Sequence, residues 1–327
     1  MSEFLAAYGL FLAQLATFIL LVIVAVVLIA GLRRRGHGEG LVVEHLNRSY
    51  EDAADELRLL LDGKARFKKA AKARQKQRKA EAKARSKQES TKPRVFVLDF
   101  KGDLRASAAA SLREEVSAVL QVAKPTDHVL VRLENSGGTV HEHGFAASQL
   151  LRVKQHGLKL LVAVDKVAAS GGYLMACVAD RLIAAPFAIV GSIGVLAQLP
   201  NFHRLLEEKG VDYEQITAGR YKRTLTVFGK NTDEGRAKMQ EEVEDVHELF
   251  KSQIREHRPQ VDIELVATGE HWHGIRALEL KLVDELKTSD DLLLEAARDH
   301  DLYRIAYKRR RSWQERMLGG VESLLTR

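Results

Sequence analysis

The chain has a single cysteine, Cys177, among 327 residues. One thiol excludes an intrachain disulfide framework and any multi-cysteine zinc or iron–sulfur site. The net positive charge comes from one stretch. Residues 64–87 carry twelve Lys/Arg against one acid, Glu81, so the rest of the chain is net acidic although the formal total is +7. The positive total therefore says nothing about a basic active site. That stretch has Phe67 as its only aromatic residue and no reader motif, which argues against nucleic acid as a partner. Residues 49–89 contain no proline and one glycine, Gly63, in an Ala/Lys/Arg/Gln-rich composition that favours a solvated helix. Internal repeats are lacking as well. With 46% hydrophobic residues, the chain has enough apolar material for a core, which excludes wholesale disorder.

What is present begins with an apolar run. From Leu15 to Leu32 the only polar side chain is Thr17, and Arg33, Arg34 and Arg35 stop the run. About 20 apolar residues at ~1.5 Å each match a ~30 Å hydrocarbon layer. A cleaved signal peptide needs basic residues before such a run, and none precede it here. The expectation is a retained transmembrane anchor over residues 1–35, with the lipid bilayer as its partner. Basic residues lie only on its C-terminal side, so the positive-inside rule places the bulk of the chain in the cytoplasm. A basic, helix-prone linker or stalk is expected over 36–92, close enough to anionic headgroups to gain about 1 kcal/mol per basic residue. At the other end, Lys308–Arg311 and then Trp313, Met317, Leu318, Val321, Leu324 and Leu325 suggest a basic amphipathic tail over 301–327.

Between these ends the texture changes at Pro93. Arg94–Phe100, His128–Glu134, Leu158–Val164 and Arg181–Ala185 are short apolar runs, and Glu214–Ala218 is a further candidate strand. Helical patterns cover Ala106–Val122, Thr139–His156 and Thr232–His257, with shorter ones at Asp262–Ala267, Ile275–Leu280 and Asp290–Asp299. Strands alternating with helices predict an α/β domain, over residues 93–300, with mainly parallel pairing.

Three corners follow apolar strands: Asn135-Ser136-Gly137-Gly138, Ala169-Ser170-Gly171-Gly172 and Gly191-Ser192-Ile193-Gly194. In α/β domains such corners gather at the carboxyl ends of the strands. A serine before Gly-Gly is, on its own, an ordinary helix cap. With a base at hand it is a candidate nucleophile, with the Gly171 N–H opening the next helix as one oxyanion donor and the Gly137-Gly138 corner as a source of the second. Histidine and lysine both qualify as the base. No spacing assigns His141, His143, His271 or His273 to a triad, and solvent-facing histidines on helices are commonplace. His141 and His143, two apart, point away from each other on a helix and make a poor metal signature. Lys222, in Gly219-Arg220-Tyr221-Lys222-Arg223, serves only if a water-poor pocket disfavours its charged form, and Ser192 could orient the neutral amine.

The segment Val164-Asp165-Lys166-Val167-Ala168-Ala169-Ser170-Gly171-Gly172-Tyr173 resembles the nucleophile motif of the signal peptide peptidase A family, the S49 Ser/Lys peptidases. Gly191-Ser192-Ile193-Gly194-Val195, Ala218-Gly219-Arg220-Tyr221-Lys222-Arg223, and Gly269-Glu270-His271-Trp272-His273-Gly274 with Leu282-Val283-Asp284-Glu285 resemble its later motifs, in order, across residues 93–290. The resemblance implies a ClpP/crotonase-like spiral of ββα units and a serine endopeptidase of the bacterial inner membrane, acting on unfolded or membrane-released peptides. It implies Ser170 as nucleophile, Lys222 as base, Ser192 as the lysine's positioner and Gly171 and Gly138 as oxyanion donors, without metal or nucleotide. A single catalytic unit implies a homo-oligomer. The family places its best-known member's activity outside the cytoplasm, opposite to the charge bias. In two places the chain departs from the family: Asn135-Ser136 replaces Ser-Pro before Gly-Gly, which loosens that turn, and Lys281 stands where a glycine often precedes Leu-Val-Asp. The rival readings are an inactive membrane-anchored scaffold that binds peptides and an enzyme of acyl-CoA chemistry, neither of which needs Ser170, Ser192 and Lys222 together.

Overall fold

The computed structural model describes residues 39–62 and 92–309, together with residues 9, 10, 14, 15, 17–19, 21 and 76. Most of the apolar run at 15–32, nearly all of the basic stretch at 64–87 and the tail at 310–327 lie outside the described residues. Among the described residues no helix is long and apolar enough to cross a membrane. The chain divides into two units, Val42–Ala306 and a second made of Met1–Leu41 with Tyr307–Arg327. Of the second, residues 9, 10, 14, 15, 17–19 and 21 are helical and exposed.

The larger unit is built on a seven-stranded sheet. Its strands are β1 (Gly40–His45), β2 (Arg94–Lys101), β3 (His128–Glu134), β4 (Lys159–Val164), β6 (Arg181–Ala184), β9 (Glu285–Leu286) and β10 (Asp301–Lys308), in the order β1-β10-β2-β3-β4-β6-β9. From β10 to β9 every neighbour pair is parallel. Because successive side chains point to opposite faces, each apolar strand feeds two cores. Phe96, Leu98, Phe100, Val129, Val131, Leu160, Val162 and Leu182 face one side, where α2 (Ala109–Val122), α3 (Val140–Gln155) and α4 (Gly171–Ala176) cover them. Val95, Val97, Leu130, Ala163, Ile183 and Leu302 face the other, covered by Leu46 of α1 (Leu46–Asp62) and by Leu292 and Leu293 of α9 (Ser289–Ala296).

The expected boundaries at 93 and 300 fall inside this unit. β10 was expected to be tail, yet it lies beside β2, with Leu302 opposite Val95 and Ile305 opposite Leu98. Leu302 and Ile305 are buried, and that burial is what holds the strand in the sheet. Most other expected spans agree with the structure to within three residues. Glu214–Ala218 does not: it is irregular and exposed, with Ile216 97% accessible, so no apolar face drives it into a sheet.

A second sheet of three short strands was not expected. It contains β5 (Val167–Ala169), β7 (Ile189–Gly191) and β8 (His271–His273), with β5 and β7 parallel and β7 and β8 antiparallel. Asn135, just past β3, adds an isolated parallel bridge to Ala168. The order strand, short strand, helix appears in β4-β5-α4 and begins again at β6-β7.

The remaining helices are α5 (His203–Glu208), α6 (Asp233–His257), α7 (Ile263–Val266) and α8 (Gly274–Glu279). α6 starts where the Thr232 hydroxyl accepts from Gly235 N–H at 3.1 Å, with Asp233 and Glu234 in its first turn. It ends at Arg258, whose guanidinium donates to both Asp284 oxygens at 2.9 and 2.7 Å and to the Lys281 carbonyl at 3.2 Å. Lys281 has φ +59°, so the position where a glycine is common does require the left-handed conformation. Burial pushes the Asp284 carboxyl up, but Arg258 and the Leu182 N–H outweigh it and hold it below its ordinary value.

Candidate active site

The second sheet brings three strand ends together. β3 runs into Asn135, β5 into Ser170 and β7 into Ser192, and the three segments are laterally bonded. Asn135 N–H donates to Val167 O at 2.9 Å, Ala169 N–H to Asn135 O at 3.0 Å, and Ser170 N–H to Gly191 O at 2.8 Å. β8 closes the other side, where Ser192 N–H donates to Glu270 O at 2.6 Å.

Ser170 adopts φ +50° and ψ −120°, a strained conformation that costs about 1–3 kcal/mol. Its hydroxyl does not cap α4, although the residue stands at the cap position. The ordinary reading of a serine before Gly-Gly therefore fails here. Ser192 is also left-handed, at φ +53°. Backbone approaches are close. A Cβ on Gly172 would lie 2.1 Å from Asn135 O, and one on Gly138 would lie 2.1 Å from Leu104 O. Gly137 N–H donates to Asn135 Oδ1, Thr139 N–H to Leu104 O and Ser170 N–H to Gly191 O. The N–H groups of Gly138 and Gly171 take part in none of these bonds.

These corners line one cavity of about 920 Å³. Ser136, Gly137, Gly138, Ser170, Gly171 and Ser192 form its polar end. Ala147 and Leu151 of α3, Leu174 of α4, and Val246, Leu249 and Phe250 of α6 give it an apolar wall. Four of the five expected site residues, Ser170, Ser192, Gly171 and Gly138, thus share a cavity. Lys222 is not among the lining residues. It is exposed, in a turn closed by its own N–H to Gly219 O at 3.2 Å.

The histidines separate. His141 is 80% exposed, and His271 and His273 are exposed on β8. His143 departs from the expectation of a solvent-facing ring: it is completely buried, because its position on α3 faces α4. Cys177 is no rival nucleophile, since burial pushes its thiol up to about 12. Sequence reading named Asn135 and His143 without assigning either a role, and it missed the α6 wall. The small residues Gly144, Ala147 and Ser148, three and four apart on α3, were a readable sign of a helix face kept open.

Two family models match the chain. The one described as peptidase family S49 N-terminal covers residues 3–150, and the one described as peptidase family S49 covers residues 152–303. A probable protease SohB of Haemophilus influenzae is 48% identical over 324 residues, 95% of this chain and 91% of the relative. A probable protease SohB of Buchnera aphidicola subsp. Acyrthosiphon pisum is 54% identical over 233 residues, 71% of this chain and 69% of the relative. A putative protease of Synechocystis is 29% identical over 205 residues, 62% of this chain and 73% of the relative.

Proposed function

The chain belongs to peptidase family S49 and is a peptidase; from that membership we propose that it is a membrane-anchored serine endopeptidase working through Ser170 and Lys222. The observation that carries this reading is the shared cavity, in which a strained serine with an uncommitted hydroxyl stands beside the Gly138 and Gly171 corners. The strand, short strand, helix order of β4-β5-α4, begun again at β6-β7, supports a ClpP/crotonase-like spiral.

In this reading the Lys222 amine takes the Ser170 hydroxyl proton as Oγ attacks the substrate carbonyl carbon. The N–H groups of Gly138 and Gly171 receive the oxyanion, worth ~10²–10³ in rate per donor. The tetrahedral intermediate collapses, the ammonium returns its proton to the leaving amine, and an acyl-enzyme remains on Ser170. Water, deprotonated by the same amine, then attacks and frees the serine. An amine works as a base only where burial strips its hydration. The exposure of Lys222 supports its delivery by a neighbouring copy, into whose cavity the side chain would dock, with Ser192 accepting one of its hydrogens. The apolar wall suits apolar side chains of unfolded or membrane-released peptides, and the run at 15–32 supplies a single-pass anchor in the bacterial inner membrane.

The test is a fluorophosphonate probe and a peptide panel applied to the full chain in detergent. The probe should label Ser170, and Ser170→Ala and Lys222→Ala should each abolish hydrolysis with the assembly intact. Near-normal turnover in Lys222→Ala would return the search for the base to the histidines.

A further inference from the structure

We propose that His143 and Asn135 form a positioning pair that holds the two oxyanion donors at their working separation. The proposal rests on the assignment of those donors to Gly138 and Gly171. Asn135 Oδ1 accepts the Gly137 N–H at 2.9 Å, closing a turn across Ser136. Only the amide oxygen can accept from a backbone N–H, so this bond sets the orientation of the amide. The same oxygen lies 3.2 Å from His143 Nε2; both ring nitrogens face acceptor oxygens, so a neutral ring donates to one of the two and an imidazolium to both. Asn135 Nδ2 points to Met175 Sδ of α4 at 3.4 Å. On the far side of the ring, His143 Nδ1 lies 2.9 Å from the Thr139 carbonyl oxygen, at the start of α3.

The ring also lies against the start of α4. A methyl group on Gly171 would sit 2.5 Å from His143 Cγ and 2.7 Å from Cδ2. One buried pair thus touches the turn before Gly138, the residue after Gly138 and Gly171 itself. The turn has no proline to stiffen it, and the Gly137 N–H bond to Oδ1, with the His143 ring against the same oxygen, supplies that restraint. Neither Asn135 nor His143 lines the cavity, so neither touches substrate. They act through the backbone they hold.

The experiment uses the full chain in detergent. It reads kcat and KM on a peptide, and the affinity of the corresponding peptide boronate, which forms a tetrahedral adduct on Ser170. His143→Phe keeps a flat ring against Gly171 and removes both polar contacts. It should lower kcat ~10-fold or more with KM within about 2-fold, and weaken the boronate by the same factor as kcat. His143→Gln, which can still donate to Oδ1, should recover most of both, and adding Ser136→Pro to His143→Phe should recover part. If His143→Phe does not fold, Asn135→Ala carries the same expectation and the isosteric Asn135→Asp the rescue. Wild-type kcat and boronate affinity in the folded variants would overturn the proposal, as would a loss of kcat without a matching loss of boronate affinity. Ser170→Ala separates this failure from failure of the site assignment. If Ser170→Ala still hydrolyses peptide, the serine mechanism falls and the positioning pair with it. If Ser170→Ala is inactive while His143→Phe behaves as wild type, the positioning pair alone falls.

Discussion

Gly172→Ala tests the seating of the Ser170-Gly171-Gly172 corner on the end of β3. The new Cβ would stand 2.1 Å from Asn135 O and 3.0 Å from Asn135 C, where ordinary contact begins near 3.4 Å. The groups that meet are backbone on both sides, so no rotamer change relieves the overlap, and the two segments must part by more than about 1 Å. The Ala169 N–H to Asn135 O bond, 3.0 Å long, is the one that stretches. Overpacking of this kind costs about 1–3 kcal/mol. For a domain of this size that is a fall in Tm of about 3–10 °C. The same movement carries the Gly137-Gly138 corner away from Ser170, and a misplacement of ~1 Å costs ~10²-fold in rate. The assay pairs thermal denaturation followed by circular dichroism with kcat/KM on a short peptide. Gly40→Ala is the matched control: a Cβ there meets nothing within 4 Å and the residue, at the start of β1, does not line the cavity, so melting and activity should both be kept. If Gly172→Ala melts and turns over like wild type, α4 is not seated on the end of β3 and the convergence of the corners is wrong.

Three further outcomes are expected. Coexpressing Ser170→Ala and Lys222→Ala chains should restore about one quarter of wild-type activity, because random pairing joins an intact serine to a neighbour's intact lysine at about one site in four; no recovery in verified mixed assemblies would place the dyad within one chain or remove the lysine from it. Asp127 and Asp284 are held below their ordinary values, each by an arginine and by backbone N–H groups that outweigh burial, so their stabilisation is complete above about pH 4 and is lost as pH falls through the folded-state values. Asp284→Asn should therefore flatten the fall in Tm below about pH 4 while costing about 3 kcal/mol at pH 7, since Arg258, 3% exposed, loses its partner; an unchanged acid limb would refute this. Cys177, fully buried and with its thiol pushed up to about 12, should resist maleimide in the native chain and react on unfolding; rapid native labelling would contradict the buried position.

The elements that were legible are those whose signal is local. His128–Glu134 is β-branched and apolar enough to be read as a buried strand, and its expected bounds match the structure. Thr232, with acids behind it, marks the start of a 25-residue helix. β5, β7 and β8 were not legible, because three residues are too few to show a period and their stability comes from one another. β10 is not legible because Tyr303, Arg304 and Tyr307 break its apolar pattern and its place beside β2 depends on a strand some 200 residues earlier. His143 was taken for a surface ring because nothing within α3 reveals that α4 covers it.

By itself, the sequence determined the α/β class, the parallel strands, the serine corners and the motifs of the family, since all of these reside in contiguous residues whose spacing sets a period, a cap or a turn. The tertiary structure alone decided that Ser170, Ser192, Gly138 and Gly171 share a cavity, that Lys222 does not line it, and that Asn135 and His143 meet behind the Gly137-Gly138 corner and Gly171. Those arrangements depend on pairings between distant segments, which form because they bury apolar surface and satisfy backbone hydrogen bonds over the whole unit.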